Sequence, residues 1–300
     1  MTRGTYSAAQ TQTQSQYSQQ PVQIIRNGDH ITMAFDAPQG QCEMTCTGSH
    51  GGRIISFRLD GHEILVAPNE SGMFGSTFWT SPENWGWPPP AVIDENPYKI
   101  QVDDSQQIFE LTSEPDASLG IRVQKRFAVA TELNAVHVDY TIINTSDQVQ
   151  RYAPWEISRV EKGGVTFYRP GNEILNVKNR GVMKMQRHSG ISAYHHPTDM
   201  TDDAKLFDCS ADGWIAHTDG RMLLIKQFDP CTQQAPGEGD IEIYACPNYV
   251  EVEQQGTYSD IFPKNSTTWR VTWSLHRLSE NIQKTDLASL LSTVDNYLKK

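Results

Sequence analysis

The segment Tyr249-Val250-Glu251-Val252-Glu253 carries the strongest candidates for proton-transfer chemistry in this chain. In a strand, residues two apart share a face, so Glu251 and Glu253 project together with Tyr249. Paired carboxylates repel one another, and partial burial adds to that repulsion. Both effects raise a carboxyl pKa toward neutrality, which suits a general acid or base. The same spacing also fits a solvated outer face with Val250 and Val252 in the core. His195 and His196 are a second candidate: adjacent histidines can place one ring in a cleft as a general acid or hydrogen-bond donor. They can equally be a surface pair. A metal there would need a third ligand, for which Asp199, Asp202 and Asp203 are near in sequence. No metal site is expected.

Trp155, Glu156 and Arg159 end a strand-like run, where the Trp-Glu pair can stack on and hydrogen-bond one substrate. The structural alternative is a Glu156–Arg159 surface ion pair, worth little energetically. Arg53 follows two glycines, which admit a ligand or a neighbouring backbone closely. Its fork can hold a carboxylate, a phosphate or paired hydroxyls. Trp79, Trp85 and Trp87 precede Pro88, Pro89 and Pro90. Consecutive prolines lack N–H donors and fix φ, so residues 74–98 read as a stiff extended loop, neither central strand nor helix. Rings on a pre-ordered loop lose little entropy when a ligand stacks on them, and the apolar C–H face of a sugar lies flat on indole. The alternative is a tryptophan cluster closing the end of a β-sandwich core. Both readings can hold for different tryptophans.

The elements that must position these residues are almost wholly β from Val22 to about Leu278. Strands are expected at residues 31–35, 42–47, 53–59, 63–66, 98–102, 108–113, 121–130, 135–144, 152–160, 222–228, 240–245, 249–254 and 268–275. Residues 121–130 and 135–144 should form a long antiparallel pair turning at Glu132-Leu133-Asn134. Residues 171–208 are the least β-like and read as a polar excursion from the sheet rim. Leu287, Leu290, Leu291, Val294 and Leu298 share one helical face, predicting a helix over 280–298 with Ser279 as N-cap. Strands without alternating helices imply an all-β antiparallel sandwich, as one domain over residues 22–300. The Gln/Ser/Thr-rich residues 1–21 read as a disordered tail.

A net charge of −11 argues against nucleic acid and anionic membranes as partners, and no apolar run is long enough to span a bilayer. Five cysteines without close repeated spacing favour free thiols and a cytoplasmic location, although loss of a secretory signal would look the same. Nucleotide, dinucleotide and zinc-protease motifs are absent, so no cofactor is expected.

Several features recur together in one order. Gly51-Gly52-Arg53 through Leu65 is similar to the opening strands of the galactose mutarotase-like (aldose 1-epimerase-like) superfamily, where an early arginine lies in the sugar site. Residues 140–160 resemble its central strand pair, and residues 240–275 its closing strands. In that superfamily a glutamate acts as general base about a dozen residues before a Pro-Gly turn. Pro263-Lys264 occupies the turn here, which implies Glu251 as the base. Glu253-Gln254-Gln255 makes Glu253 the alternative. The family's first histidine segment is replaced by Pro154-Trp155-Glu156-Ile157, with Glu156 about where that histidine would be. Its second histidine, the general acid, matches His195 or His196 loosely. The resemblance covers residues 40–278 and resembles a divergent branch marked by the Trp-Gly-Trp-Pro-Pro-Pro loop. It implies a β-supersandwich with a concave carbohydrate site, and Trp79, Trp85, Trp87, Trp155, Arg53, Arg159 and Tyr249 as sugar contacts. The expected activity is cofactor-independent interconversion of sugar anomers. The alternatives are a non-catalytic sugar-binding module, or a different isomerase, lyase or cyclase chemistry in a tryptophan-lined pocket.

Overall fold

The computed structural model describes residues 22–171, 176–178 and 182–299. The proposed tail, residues 1–21, lies outside them. Two large antiparallel sheets face each other. The first runs, in hydrogen-bonded order, through Gln23–Asn27, His30–Ala37, Gly40–Thr47, Ile54–Leu59, Ser76–Ser81, Gln150–Val160, Val250–Gln255, Ile241–Ala245, Ala204–Asp208 and Asn176–Lys178. The second is centred on Ser210–Thr218, Met222–Phe228, Ser266–Arg277 and Ala135–Asn144. Alternation explains why the sheets close on one another. Apolar residues at every second position make one dry face per sheet, and the two dry faces must meet. Phe78 stacks on Tyr140 at 4.7 Å and Phe57 meets Trp273 edge-on at 5.8 Å, joining the sheets across the core. Residues 121–130 and 135–144 pair along their whole length as expected. Asn134 takes the left-handed conformation that the turn needs (φ 51°).

Three expectations about local structure need correction. Residues 74–98 are not all loop: Ser76–Ser81 is a fully buried strand in the first sheet, paired with Gln150–Val160. The proline constraint acts only from Pro82 onward, so the preceding residues keep their N–H groups for the ladder. Beyond the prolines, Ala91–Asp94 forms one helical turn in which the Ile93 and Asp94 N–H groups donate to the Pro90 carbonyl.

The polar excursion of residues 171–208 contains the strands Met185–His188, Ile191–His195 and Ala204–Asp208. Met185–His188 is an edge strand with a largely exposed sequence, which hides the β pattern. The C-terminal helix is shorter than expected and spans Leu287–Leu298. Its N-cap is Asp286, whose carboxylate accepts from the Ser289 N–H at 3.1 Å, not Ser279. The apolar stripe begins only at Leu287; within residues 280–286 only Ile282 packs on the core, which is too little to hold a helical face there. Leu290 and Val294 are fully buried, and Tyr297 stacks on His276 at 3.5 Å. Among the described residues, no helix is long and apolar enough to cross a membrane.

Candidate functional site

Strand register builds the site on the face of the first sheet turned away from the core. One row across four adjacent strands reads Lys205, Tyr244, Glu251, Arg159. The next row on the same face reads Phe207, Glu242, Glu253, Ile157. Trp155 and Trp79 are direct cross-strand partners on this face. They line a hollow of about 290 Å3 together with Lys205, Tyr244, Tyr249 and Glu251, and Glu83 and Trp87 complete its wall. The indole loop and Glu251 therefore share one cavity.

The tryptophans divide between structure and exposure. Trp79 is buried and meets Trp155 edge-on at 5.3 Å, Trp85 at 5.8 Å and Trp87 at 5.9 Å. Trp85 donates its indole N–H to the Thr80 carbonyl at 3.2 Å and packs on the core. Trp85 does not line the hollow, whereas Trp87 does, with 61% of its surface exposed. Trp79 is held from behind: its Nε1 donates to Asp94 Oδ1 at 2.9 Å. The same oxygen accepts from Thr77 Oγ1 at 2.7 Å and from Arg53 Nη2 at 2.9 Å.

Arg53 also donates to the Gly72 carbonyl at 2.7 Å. Its fork is engaged behind the wall and does not line the hollow. The two glycines before it serve a backbone approach. Gly51 and Gly52 have φ of 59° and 55°, and a Cβ on either would strike the Asp94 backbone or the Tyr98 ring. Lys125, fully buried, fixes that turn by donating to the Gly51 and Gly52 carbonyls at 2.8 and 2.9 Å.

Electrostatics concentrate on the two rows. Arg159 Nη2 pairs with Glu251 Oε1 at 2.9 Å, and both side chains are nearly buried. Its guanidinium also lies 5.7 Å from the Tyr249 ring centre and 5.8 Å from that of Trp79. Lys205 Nζ sits 2.7 Å from Glu242 and 3.2 Å from Glu253, and 4.8 Å above the Trp155 ring. Glu253 also accepts from Trp155 Nε1 at 2.9 Å. One ammonium thus faces two fully buried carboxyls. Burial raises both acids, Glu253 to about 7, while Lys205 opposes the rise. Burial thus shifts both carboxyls toward their neutral form, and the nearby ammonium limits that shift. Burial works against the Lys205 charge, but Glu242 and Glu253 outweigh it and hold the ammonium protonated. Burial likewise raises Tyr244 and Tyr249, so both phenols keep their protons. Burial also raises Glu83.

Glu251 and Glu253 share a face as the spacing requires. That face is enclosed, not solvated, with Glu253 fully buried. Glu156 and Arg159 do not pair, because three residues apart in a strand they point to opposite faces. Glu156 points between the sheets, where Lys226 Nζ bonds it at 2.6 Å and Ser158 Oγ at 2.6 Å, with Ser76 and Gln254 also hydrogen-bonded to it. It cannot reach the hollow. His195 and His196 belong to the second sheet's side, and neither lines the hollow. His196 is buried, shares the Thr166 hydroxyl with His217 (3.0 and 3.2 Å), and stacks on that ring at 5.3 Å. Glu156 in the inner core and His195 and His196 on the second sheet's side thus lie away from this hollow.

Sequence reasoning missed Lys205, Glu242, Tyr244, Glu83 and Asp94. Ile241-Glu242-Ile243-Tyr244 alternates cleanly, so Glu242 and Tyr244 were legible as one face. Lys205 lay within the stretch read as loop, and nothing local marks Asp94. The Pro263-Lys264 turn is present, with Lys264 itself at φ 67°, the left-handed conformation that glycine usually supplies.

No protein-family model and no curated protein matches the chain. Solved structures do. The Slr1438 protein from Synechocystis is similar with a TM-score of 0.57 at 9% identity, over 91% of this chain and 100% of its own. A galactose mutarotase-like protein from Clostridium acetobutylicum has a TM-score of 0.53 at 8% identity, over 87% of this chain and 99% of its own. A galactose mutarotase related enzyme from Lactobacillus acidophilus has a TM-score of 0.54 at 8% identity, over 88% and 99%. The two antiparallel sheets and these similarities show that the chain shares the fold of these solved structures, two of which are named for galactose mutarotase.

Proposed function

We propose that the hollow binds a pyranose and that the protein is an epimerase-like enzyme interconverting sugar anomers by proton transfer. The observation that carries this reading is the shared cavity: Glu251, at the position the motif resemblance gives to the general base, lines the same hollow as Trp79, Trp87 and Trp155. A sugar's C–H face would stack on indole while its hydroxyls meet Glu251, Lys205 and the tyrosines. Arg159 holds Glu251 through Oε1, leaving Oε2 to accept the anomeric proton. A donor in the hollow protonates the ring oxygen as the C1–O5 bond breaks, giving the open-chain aldehyde. Rotation about C1–C2 and the reverse transfers close the other anomer. Both steps are proton transfers. With the histidines and Glu156 elsewhere, the donor is one of Tyr244, Tyr249 or Lys205, each of which retains its proton at neutral pH. The solved structures named for galactose mutarotase support a sugar as the ligand class.

The second reading, a non-catalytic sugar-binding module, is favoured by the ion pair that already engages Glu251. Glu251→Gln separates the two. Anomer exchange followed by polarimetry should fall at least 100-fold, while sugar-induced thermal stabilisation persists. Wild-type protein that is stabilised by sugars yet shows no exchange above the spontaneous rate would replace the enzyme with the module.

A further inference from the structure

The charge pairing inside the hollow bears on what kind of sugar it accepts. Arg159 and Lys205 are already matched, and Lys178, the next position in the row beside Lys205, is exposed, stands over the Phe207 ring at 4.6 Å and does not line the hollow. Arg159 is paired with Glu251 at 2.9 Å, and Lys205 lies between Glu242 at 2.7 Å and Glu253 at 3.2 Å. A carboxylate or phosphate on a ligand would find no uncommitted cation among the described residues lining the cavity, and would face Glu251 and Glu83. The opposite charge finds an open place. Among the described residues, Glu83 makes no hydrogen bond or ion pair. It lines the same hollow as Trp87, which is 61% exposed, and feels the Lys205 and Lys178 charges without pairing with either.

An exposed indole next to an unpaired carboxylate is the arrangement that binds an ammonium, through attraction to the ring face and a charge-assisted hydrogen bond. The protein's own cations use the remaining rings in the same manner, Lys205 over Trp155 and Arg159 near Trp79 and Tyr249. Among the described residues no cation stands over Trp87, so its ring, with Glu83, is open to a ligand's ammonium while the other rings of the hollow still meet the sugar.

We propose that the hollow selects an amino sugar, with the ligand's ammonium held between Glu83 and the Trp87 ring, and excludes sugar phosphates and uronic acids. The proposal rests on the reading of the hollow as a sugar site. Titration calorimetry of the full chain against glucosamine, glucose, glucose 6-phosphate and glucuronate tests it, with choline as an ammonium that is not a sugar. Glucosamine should bind at least tenfold more tightly than glucose, and the two anionic sugars more weakly than glucose. In Glu83→Gln the glucosamine advantage should fall to within twofold while glucose affinity is kept. That retention also shows the variant folded. Raising salt from 50 to 500 mM should erode the glucosamine advantage but leave glucose binding unchanged.

Glucose bound with no glucosamine preference, or a preference that survives Glu83→Gln, overturns the ammonium site and leaves the sugar reading standing. Tighter binding of either anionic sugar overturns it as well. Choline bound in a Glu83-dependent way without any sugar binding keeps the ammonium contact and ends the amino-sugar assignment. Binding of none of the five ends both readings.

Discussion

Replacing Lys226 with methionine tests the placement of Glu156, which separates a structural carboxylate from a catalytic one. Lys226 and Glu156 are fully buried, 2.6 Å apart, and join the two sheets. Methionine keeps the unbranched stem and its packing on the Trp273 ring, over which the ammonium sits at 4.4 Å. It leaves a carboxylate between two apolar layers with only hydroxyl and amide donors. Breaking a buried pair from one side costs about 3–5 kcal/mol. At ~2–4 °C per kcal/mol for a large domain, that is a fall in Tm of about 6–20 °C.

The opposite single change, Glu156→Gln, should cost less. Burial already depresses the Lys226 pKa against the pull of Glu156, so the lysine can shed its proton once the carboxylate is gone. The double variant should recover to within about 2 kcal/mol of the parent, because a neutral pair of similar volume avoids the stranded charge. Urea unfolding of all four proteins reads these differences, and the cycle isolates the coupling. A Lys226→Met loss under about 1 kcal/mol, or a double variant worse than either single, would refute the buried-pair reasoning. Glu156→Gln that stays folded but loses anomer exchange selectively would show the carboxylate acting on a ligand.

The two tryptophan layers should respond differently. Trp87→Ala should change stability by no more than about 0.5 kcal/mol, as surface substitutions do, yet weaken sugar binding by more than about 1 kcal/mol. Trp79→Ala should cost about 3–5 kcal/mol of stability, as read by denaturant titration. The histidine cluster sets an acid limit. Burial lowers His217 to about 4 and His196 also falls well below its ordinary value. Such groups contribute stability that is full above pH ~6.5 and is lost as pH falls toward 4. Between pH 6.5 and 4, His217→Gln should lose about 3 kcal/mol less than the parent, by urea unfolding at each pH. At the C-terminal helix, Asp286→Ala should cost about 1 kcal/mol and Ser279→Ala almost nothing, by the same measurement.

Two-residue alternation made most of the fold legible. The run of residues 121–144 gave both strands and their turn, and the five leucine and valine positions gave the C-terminal helix. The helix start was misplaced by seven residues because Ser279 and Asp286 are both competent caps. The choice between them depends on where Leu287 meets the core. Ser76–Ser81 was hidden because its neighbours carry the prolines, while its own six positions are all buried and so lack alternation.

The chain's local pattern was enough to put Glu251 and Glu253 on one face, because side-chain direction in a strand follows from the backbone pleat alone. It also gave the aromatic supply of the 79–87 segment. Which strands lie beside which is a long-range matter. Lys205, Tyr244, Glu251 and Arg159 meet only because four strands from separate parts of the chain align in register. The same alignment decides that Glu156 faces Lys226 in the core while Trp155, its neighbour, faces the hollow. It also carries His195 and His196 to the other sheet. Periodicity fixes direction within an element. Only packing between elements fixes which charges become partners, and that decided which of the candidate acids share a cavity with the tryptophans.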